Sequence, residues 1–287
     1  MLNTMSWQLL TAISVISLSI SVLLQRVLLH RDKTDPFAYA VVFQAIVGIL
    51  LMIIALAVGF RLPNIDVLLF PATVAVIFFG LGHIVYAKTL QIVEASVFSV
   101  LFATQAVWIM LLGIMLFHES LTYMQIIGSV LIFAGVGLII KNIHHLRLDR
   151  GTLLGLLTGL MFGIAITAWS YVGRHTNGLS WAAISFIASV PIALLARPKT
   201  IYKIKSLFAP RILTKLTLLG AFYGLGSVTM LFAYKYGTFA LVSPLRQTSI
   251  IVTVLLALAF LHSERKQITR KILAAVICFA GVVLVII

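Results

Sequence analysis

Ala240-Leu241-Val242-Ser243-Pro244-Leu245-Arg246-Gln247-Thr248-Ser249 opens an apolar run that ends at Leu261. His262-Ser263-Glu264-Arg265-Lys266 follows, and a second apolar run continues to Ile287. Each run is about 20 residues, enough for a helix to cross the ~30 Å hydrocarbon core of a bilayer. Arg246 lies roughly 9 Å into the first run at about 1.5 Å rise per residue. A charge at that depth is costly and marks a functional position. The pattern also occurs upstream. Ala95 to Phe117 is apolar, His118-Glu119-Ser120 interrupts it, and Thr122 to Ile140 is apolar again.

Working outward, the chain divides into ten apolar runs: 7–25, 37–59, 67–88, 96–117, 122–140, 151–172, 180–196, 213–235, 240–261 and 268–287. Of the 287 residues, 62% are hydrophobic and 10% charged. Soluble domains carry about 25% charged residues, and mean hydropathy is +1.15. The chain is therefore expected to be an all-α integral membrane protein. The net charge of +14 is scattered between apolar runs, which argues against a nucleic-acid partner. The first run has no Lys or Arg before it and no small-residue cleavage site, and reads as a retained span. The single cysteine, Cys278, lies in an apolar run and implies neither a disulfide nor a metal site. The longest connection, Arg197 to Ile212, is basic and suits an interfacial helix.

Seventeen of the 21 Lys and Arg residues follow odd-numbered runs, three (Arg61, Arg174 and Lys235) lie on the other side, and Arg246 is within a run. The positive-inside rule then places the basic loops in the cytoplasm and both termini outside the cell (inner) membrane.

The two halves repeat. Phe79-Gly80-Leu81-Gly82 matches Tyr223-Gly224-Leu225-Gly226, Glu119 matches Glu264, and Phe133-Ala134-Gly135-Val136 matches Phe279-Ala280-Gly281-Val282. Arg26 and Arg174 close the first and sixth runs. The halves are 1–141 and 150–287. Five spans per half make the second copy enter from the opposite side, giving two inverted five-helix repeats. A Glu after the fourth span and an Ala-Gly-Val in the fifth, seen twice, resemble EamA-type members of the drug/metabolite transporter superfamily. The resemblance covers nearly the whole chain. It implies a transporter, with export as the family-level expectation. Pro244 fits the family's frequent proline early in the ninth span, and Ser99 departs from it in the fourth.

The polar residues within runs are few. Arg246, with Gln247, Ser249 and Thr253 around it, is expected to face a central cavity, since a guanidinium fork suits carboxylate or phosphate. Snorkelling to the surface is the alternative. Leu101 stands at the equivalent place in the first half. Ser17, Ser21 and Gln25 form one helical stripe that lipid would disfavour. His83 is the one histidine well inside a run, either packed and hydrogen-bonded or able to titrate. Gln105, Trp108 and Trp169 are candidate pocket residues, with interface anchoring as the alternative for the tryptophans. Glu119 and Glu264 are expected to bond helix N-termini and nearby basic residues, with a gate as the alternative, and Glu94 to pair with Lys88, with a substrate or proton contact at the cavity mouth as the alternative. Gly151, Gly155, Gly159 and Gly163 form a ridge for close helix approach. Gly80, Gly82, Gly224 and Gly226 are expected to permit bending or close contact.

No recurring ligand spacing predicts a metal or other cofactor, and no interfacial Asp/Glu/His cluster predicts an enzyme. The sequence therefore predicts alternating-access transport of a small polar or amphipathic metabolite, an amino acid or related organic anion. Coupling would be absent or a weak proton link through His83 or Glu94. The competing readings are a broad-specificity drug exporter and a non-transporting scaffold. Expected partners are a small-molecule substrate, the lipid bilayer and, as an option, a second copy of the chain.

Overall fold

The computed structural model describes residues 6–62, 68–117, 122–139, 149–237, 242, 245–261 and 264–287. Glu119, Pro244 and the histidines 118, 144, 145 and 262 lie outside the described residues. Among the described residues the chain is helical, without strands. The helices are α1 (Trp7–Arg26), α2 (Pro36–Val58), α3 (Leu69–Ile92), α4 (Ala95–Phe102), α5 (Gln105–Phe117) and α6 (Tyr123–Ile139). In the second half come α7 (Arg150–Arg174), α8 (Gly178–Ala196), the short α9 (Ile201–Ile204), α10 (Pro210–Tyr236), α11 (Ser249–Phe260) and α12 (Ile268–Ile286).

Helix starts follow local chemistry. A side-chain oxygen at the N-cap accepts from backbone N–H groups that have no partner within the helix. Asp35 does this for Phe37 and Ala38, Asp149 for Thr152 and Asn177 for Ser180. Among the described residues, eight helical segments are long and apolar enough to cross a membrane; α6 and Leu245–Phe260 are apolar but shorter. α1 does not stop near residue 25 but runs on as a wider π turn from Val27 to Arg31. Arg26 is consequently a buried helical residue and not part of a loop.

The fourth run, expected as one helix, is two. α4 and α5 are separated at Ala103–Thr104, where the Thr104 hydroxyl donates to the Leu101 carbonyl at 2.8 Å. The ninth run breaks in the same way, with the Thr248 hydroxyl donating to the Leu245 carbonyl at 2.6 Å. Leu101-Phe102-Ala103-Thr104 and Leu245-Arg246-Gln247-Thr248 are thus the same break written twice. This corrects the register between the halves: the counterpart of Arg246 is Phe102, not Leu101.

Packing respects the repeat. α1 lies on α10 as α7 lies on α3, α2 pairs with α8, and α6 pairs with α12. α4 meets α11, its own counterpart. The glycine ridge of α7 seats the broken helix: a Cβ at Gly155, Gly159 or Gly163 would strike Leu101, Thr104 or Trp108. α6 and α12 meet in close contact at Gly128 and Gly281, where each glycine's Cβ position lies 2.5–2.6 Å from the other's carbonyl oxygen. Gly80, Gly82 and Gly226 also serve close contact, while Gly224 faces open space. α3 and α10 remain continuous through these glycines.

Candidate substrate site

The helices converge on an aromatic chamber around His83. Phe43 on α2, Phe79 and Tyr86 on α3, Phe162 on α7 and Phe186 on α8 surround its ring at centroid distances of 5.1–6.4 Å. The His83 Nδ1 lies 2.8 Å from the Phe79 carbonyl. A carbonyl only accepts, so Nδ1 carries the proton, and a neutral ring then leaves Nε2 as an acceptor. His83 is therefore both packed and hydrogen-bonded. A narrow seam beside it is lined by Gln44, Phe79, Ser185, Phe186 and Ser189. The Gln44 amide nitrogen donates to the Ala40 carbonyl, but its Oε1 is buried with no hydrogen-bond partner among the described residues. The Tyr39 hydroxyl and Gln105 Oε1 are buried and unsatisfied as well. Orphaned buried polar atoms are rare in native proteins and call for an explanation.

The chamber extends to α10. Phe43 and Phe186, which touch His83, also touch Tyr223 of α10 at 5.1 and 5.7 Å. Arg246 is partly buried, and no salt bridge to it occurs among the described residues. Its counterpart Phe102 packs on Tyr86 and Phe162 in the other half of the chamber.

The remaining predicted residues divide. Thr253 is buried; Gln247 and Ser249 are partly exposed, and the Ser249 carbonyl accepts from Ser19 at 3.4 Å. Ser17, Ser21 and Gln25 are buried as the stripe required, with the Gln25 amide donating to the Ser21 hydroxyl at 3.3 Å. Gln105 begins α5 at the break, and Trp108 packs on Gly163. The Trp169 indole N–H donates to Ser185, a seam residue, at 3.0 Å, which ties it to the chamber wall. Tyr39, Gln44, Tyr86, Phe162, Phe186 and Tyr223 were not singled out from sequence. Phe and Tyr are common in apolar spans, so only their meeting in space identifies them.

A second polar centre sits at one end of α1. Glu264 is 1% exposed and accepts from the Ala95 N–H (2.8 Å), the Ser96 N–H (3.0 Å) and the Ser96 hydroxyl (2.8 Å), capping α4 from the other repeat. Arg26 pairs with it at 3.6 Å and donates to the Leu90 carbonyl at 2.6 Å. Lys271 donates to the Glu264 carbonyl at 2.6 Å and pairs with Glu94. Glu264 thus bonds a helix N-terminus as expected. Glu94 pairs with Lys271 and not with Lys88, whose ammonium lies over the Phe37 ring at 4.5 Å.

Two sets of apolar helices, interleaved through the α1–α10, α3–α7, α2–α8 and α6–α12 pairs around a buried aromatic and polar chamber, fit a polytopic membrane protein. The EamA-like transporter family matches the chain twice, over residues 5–141 and 149–287, and the chain belongs to that family. No curated protein sequence matches the chain. One protein of known crystal structure aligns over 94% of this chain and 96% of its own, with a TM-score of 0.51 and 14% identity. That likeness extends to the fold alone.

Proposed function

We propose that the chain is a ten-span transporter of two inverted five-helix repeats, 1–141 and 150–287, in the cell (inner) membrane. It exports a small metabolite bearing both an anionic and a hydrogen-bond-donating group, such as an amino acid or related organic anion. The single observation that carries this reading is the chamber's two unlike ends. At one end, just before α11, Arg246 is partly buried without a carboxylate partner among the described residues. At the other, Gln44 Oε1, which lines the same seam as His83, is an acceptor with no donor among the described residues. Aromatic faces run from His83 across to Tyr223 of α10. Placing a broken helix from each repeat beside the site follows the architecture of inverted-repeat transporters. The seam has no room for a metabolite in this form, so loading requires the halves to part. The Arg26–Glu264–Lys271–Glu94 centre joins the repeats at one end and supports its closure there. The positive-inside count puts that end in the cytoplasm, with both termini outside.

The reading is tested by a thermal-shift screen of purified protein against amino acids, organic anions and lipophilic drugs, since a ligand that binds the folded state raises its Tm. Stabilisation by amino acids or organic anions is expected. Stabilisation by lipophilic neutral drugs alone would replace this reading with a broad-specificity exporter.

A further inference from the structure

The connection between α8 and α10 has an outer surface that the chamber does not use. Residues 197–215 contain six Lys or Arg and no Asp or Glu. The stretch folds as Pro198–Thr200, α9 and Lys205–Phe208 in close succession. Thr200, Ile204 and Leu207 share the i, i+4, i+7 face. That face points inward: Thr200 is 1% and Leu207 2% exposed, and Ile204 packs on the core. Ile201, Tyr202 and Phe208 lie outside that face and are 59%, 82% and 57% exposed. The basic residues divide as well. Lys203 and Arg197 are engaged by Asp35 at 2.6 and 3.9 Å, and Lys215 by Asp32 at 2.5 Å. Lys199, Lys205 and Arg211 are exposed and have no carboxylate partner among the described residues.

We propose that this arm is an anionic-lipid docking surface. Tyr202, Ile201 and Phe208 enter the headgroup layer, and Lys199, Lys205 and Arg211 bind lipid phosphates. An aromatic and aliphatic face set among lysines suits the interface, where an apolar body is buried and a charged tip stays wet. A membrane surface also supplies the negative charge that the segment lacks. The arm leads directly into α10, and through Lys203 it holds Asp35, the N-cap of α2. Lipid bound here would therefore bear on two helices of the chamber.

The test uses the full-length protein with Cys278→Ala and Tyr202→Cys, spin-labelled at position 202, in vesicles with and without phosphatidylglycerol in both leaflets. Symmetric leaflets make the result independent of orientation. With phosphatidylglycerol, the label should be accessible to oxygen and shielded from a water-soluble nickel chelate. Native mass spectrometry should show selective retention of phosphatidylglycerol over phosphatidylcholine. Lys199→Gln/Lys205→Gln/Arg211→Gln should weaken that preference by about fivefold per residue, roughly 100-fold in all. All three side chains are exposed, so the variant should fold. A label as open to nickel as an aqueous loop with phosphatidylglycerol present would overturn the proposal and leave the surface to a soluble partner. Unchanged lipid preference in the triple variant would overturn it equally.

Discussion

Glu264→Gln removes the negative charge from a centre that joins the two repeats. Arg26, 6% exposed, then keeps its hydrogen bond to Leu90 but loses its nearest carboxylate. Removing one partner of a buried ion pair costs about 3–5 kcal/mol, because the other charge stays buried. Glutamine's carbonyl oxygen still accepts from one of the Ala95 and Ser96 N–H groups, and Glu94 still contributes negative charge at Arg26. The lower end, about 3 kcal/mol, therefore applies. At roughly 2–4 °C per kcal/mol for large domains, Tm should fall by about 6–12 °C. The assay is thermal unfolding in detergent of the parent, Glu264→Gln, Arg26→Gln and the double variant. The double variant should be more stable than the sum of the single losses predicts, since neither charge is then left alone. A Glu264→Gln protein melting within about 2 °C of the parent would refute the reasoning.

Burial raises the Asp35 carboxyl, but hydrogen bonds from Lys203 and the Ala38 N–H, with the charges of Lys203 and Arg197, hold it below its ordinary value. Its contribution is thus fully present above the unfolded value of about 3.9 and lost as pH falls through the lower folded value. Asp35→Asn should lower Tm near neutral pH and flatten the loss below about pH 4; identical acid profiles would contradict this. Gly128→Leu forces a side chain against the Gly281 carbonyl and should cost about 1–3 kcal/mol or more, read as a lower Tm. Gly224→Ala, with nothing within 4 Å of the new methyl, should match or exceed the parent. Ser206→Cys in the Cys278→Ala background should resist an impermeant thiol reagent on intact cells; ready labelling from outside would reverse the topology.

The helices and their repetition are legible in the sequence because lipid leaves backbone groups no partner but each other, so apolar length alone sets the spans. The ridge from Gly151 to Gly163 is legible for a similar reason: spacing by four keeps small residues on one face. The breaks at Thr104 and Thr248 were not anticipated. Each lies within an apolar run, and its signal is a Leu-x-x-Thr that stands out only when the halves are aligned by structure. The ion centre was half visible. Charge at span ends suggested helix-capping glutamates, but Lys271 reaches Glu94 from far along the chain, whereas Lys88 is only nearer in sequence. The chamber walls were hidden for a different reason: Phe43, Phe162 and Phe186 look like any lipid-facing aromatic until the helices are packed.

In the proposed function Arg246 binds the anionic end of the substrate. The most direct test of this binding is counterflow in proteoliposomes with the strongest stabilising ligand of the thermal-shift screen, comparing the parent with Arg246→Gln and Arg246→Lys. Losing one charge-assisted contact of about 1.5–3 kcal/mol corresponds to roughly 10- to 150-fold weaker apparent affinity. The glutamine variant should show that loss with near-parent Tm, and lysine should recover only part of it, because a point charge lacks the guanidinium fork. Parent-like counterflow of the same anionic or amphoteric ligand by Arg246→Gln would contradict the account.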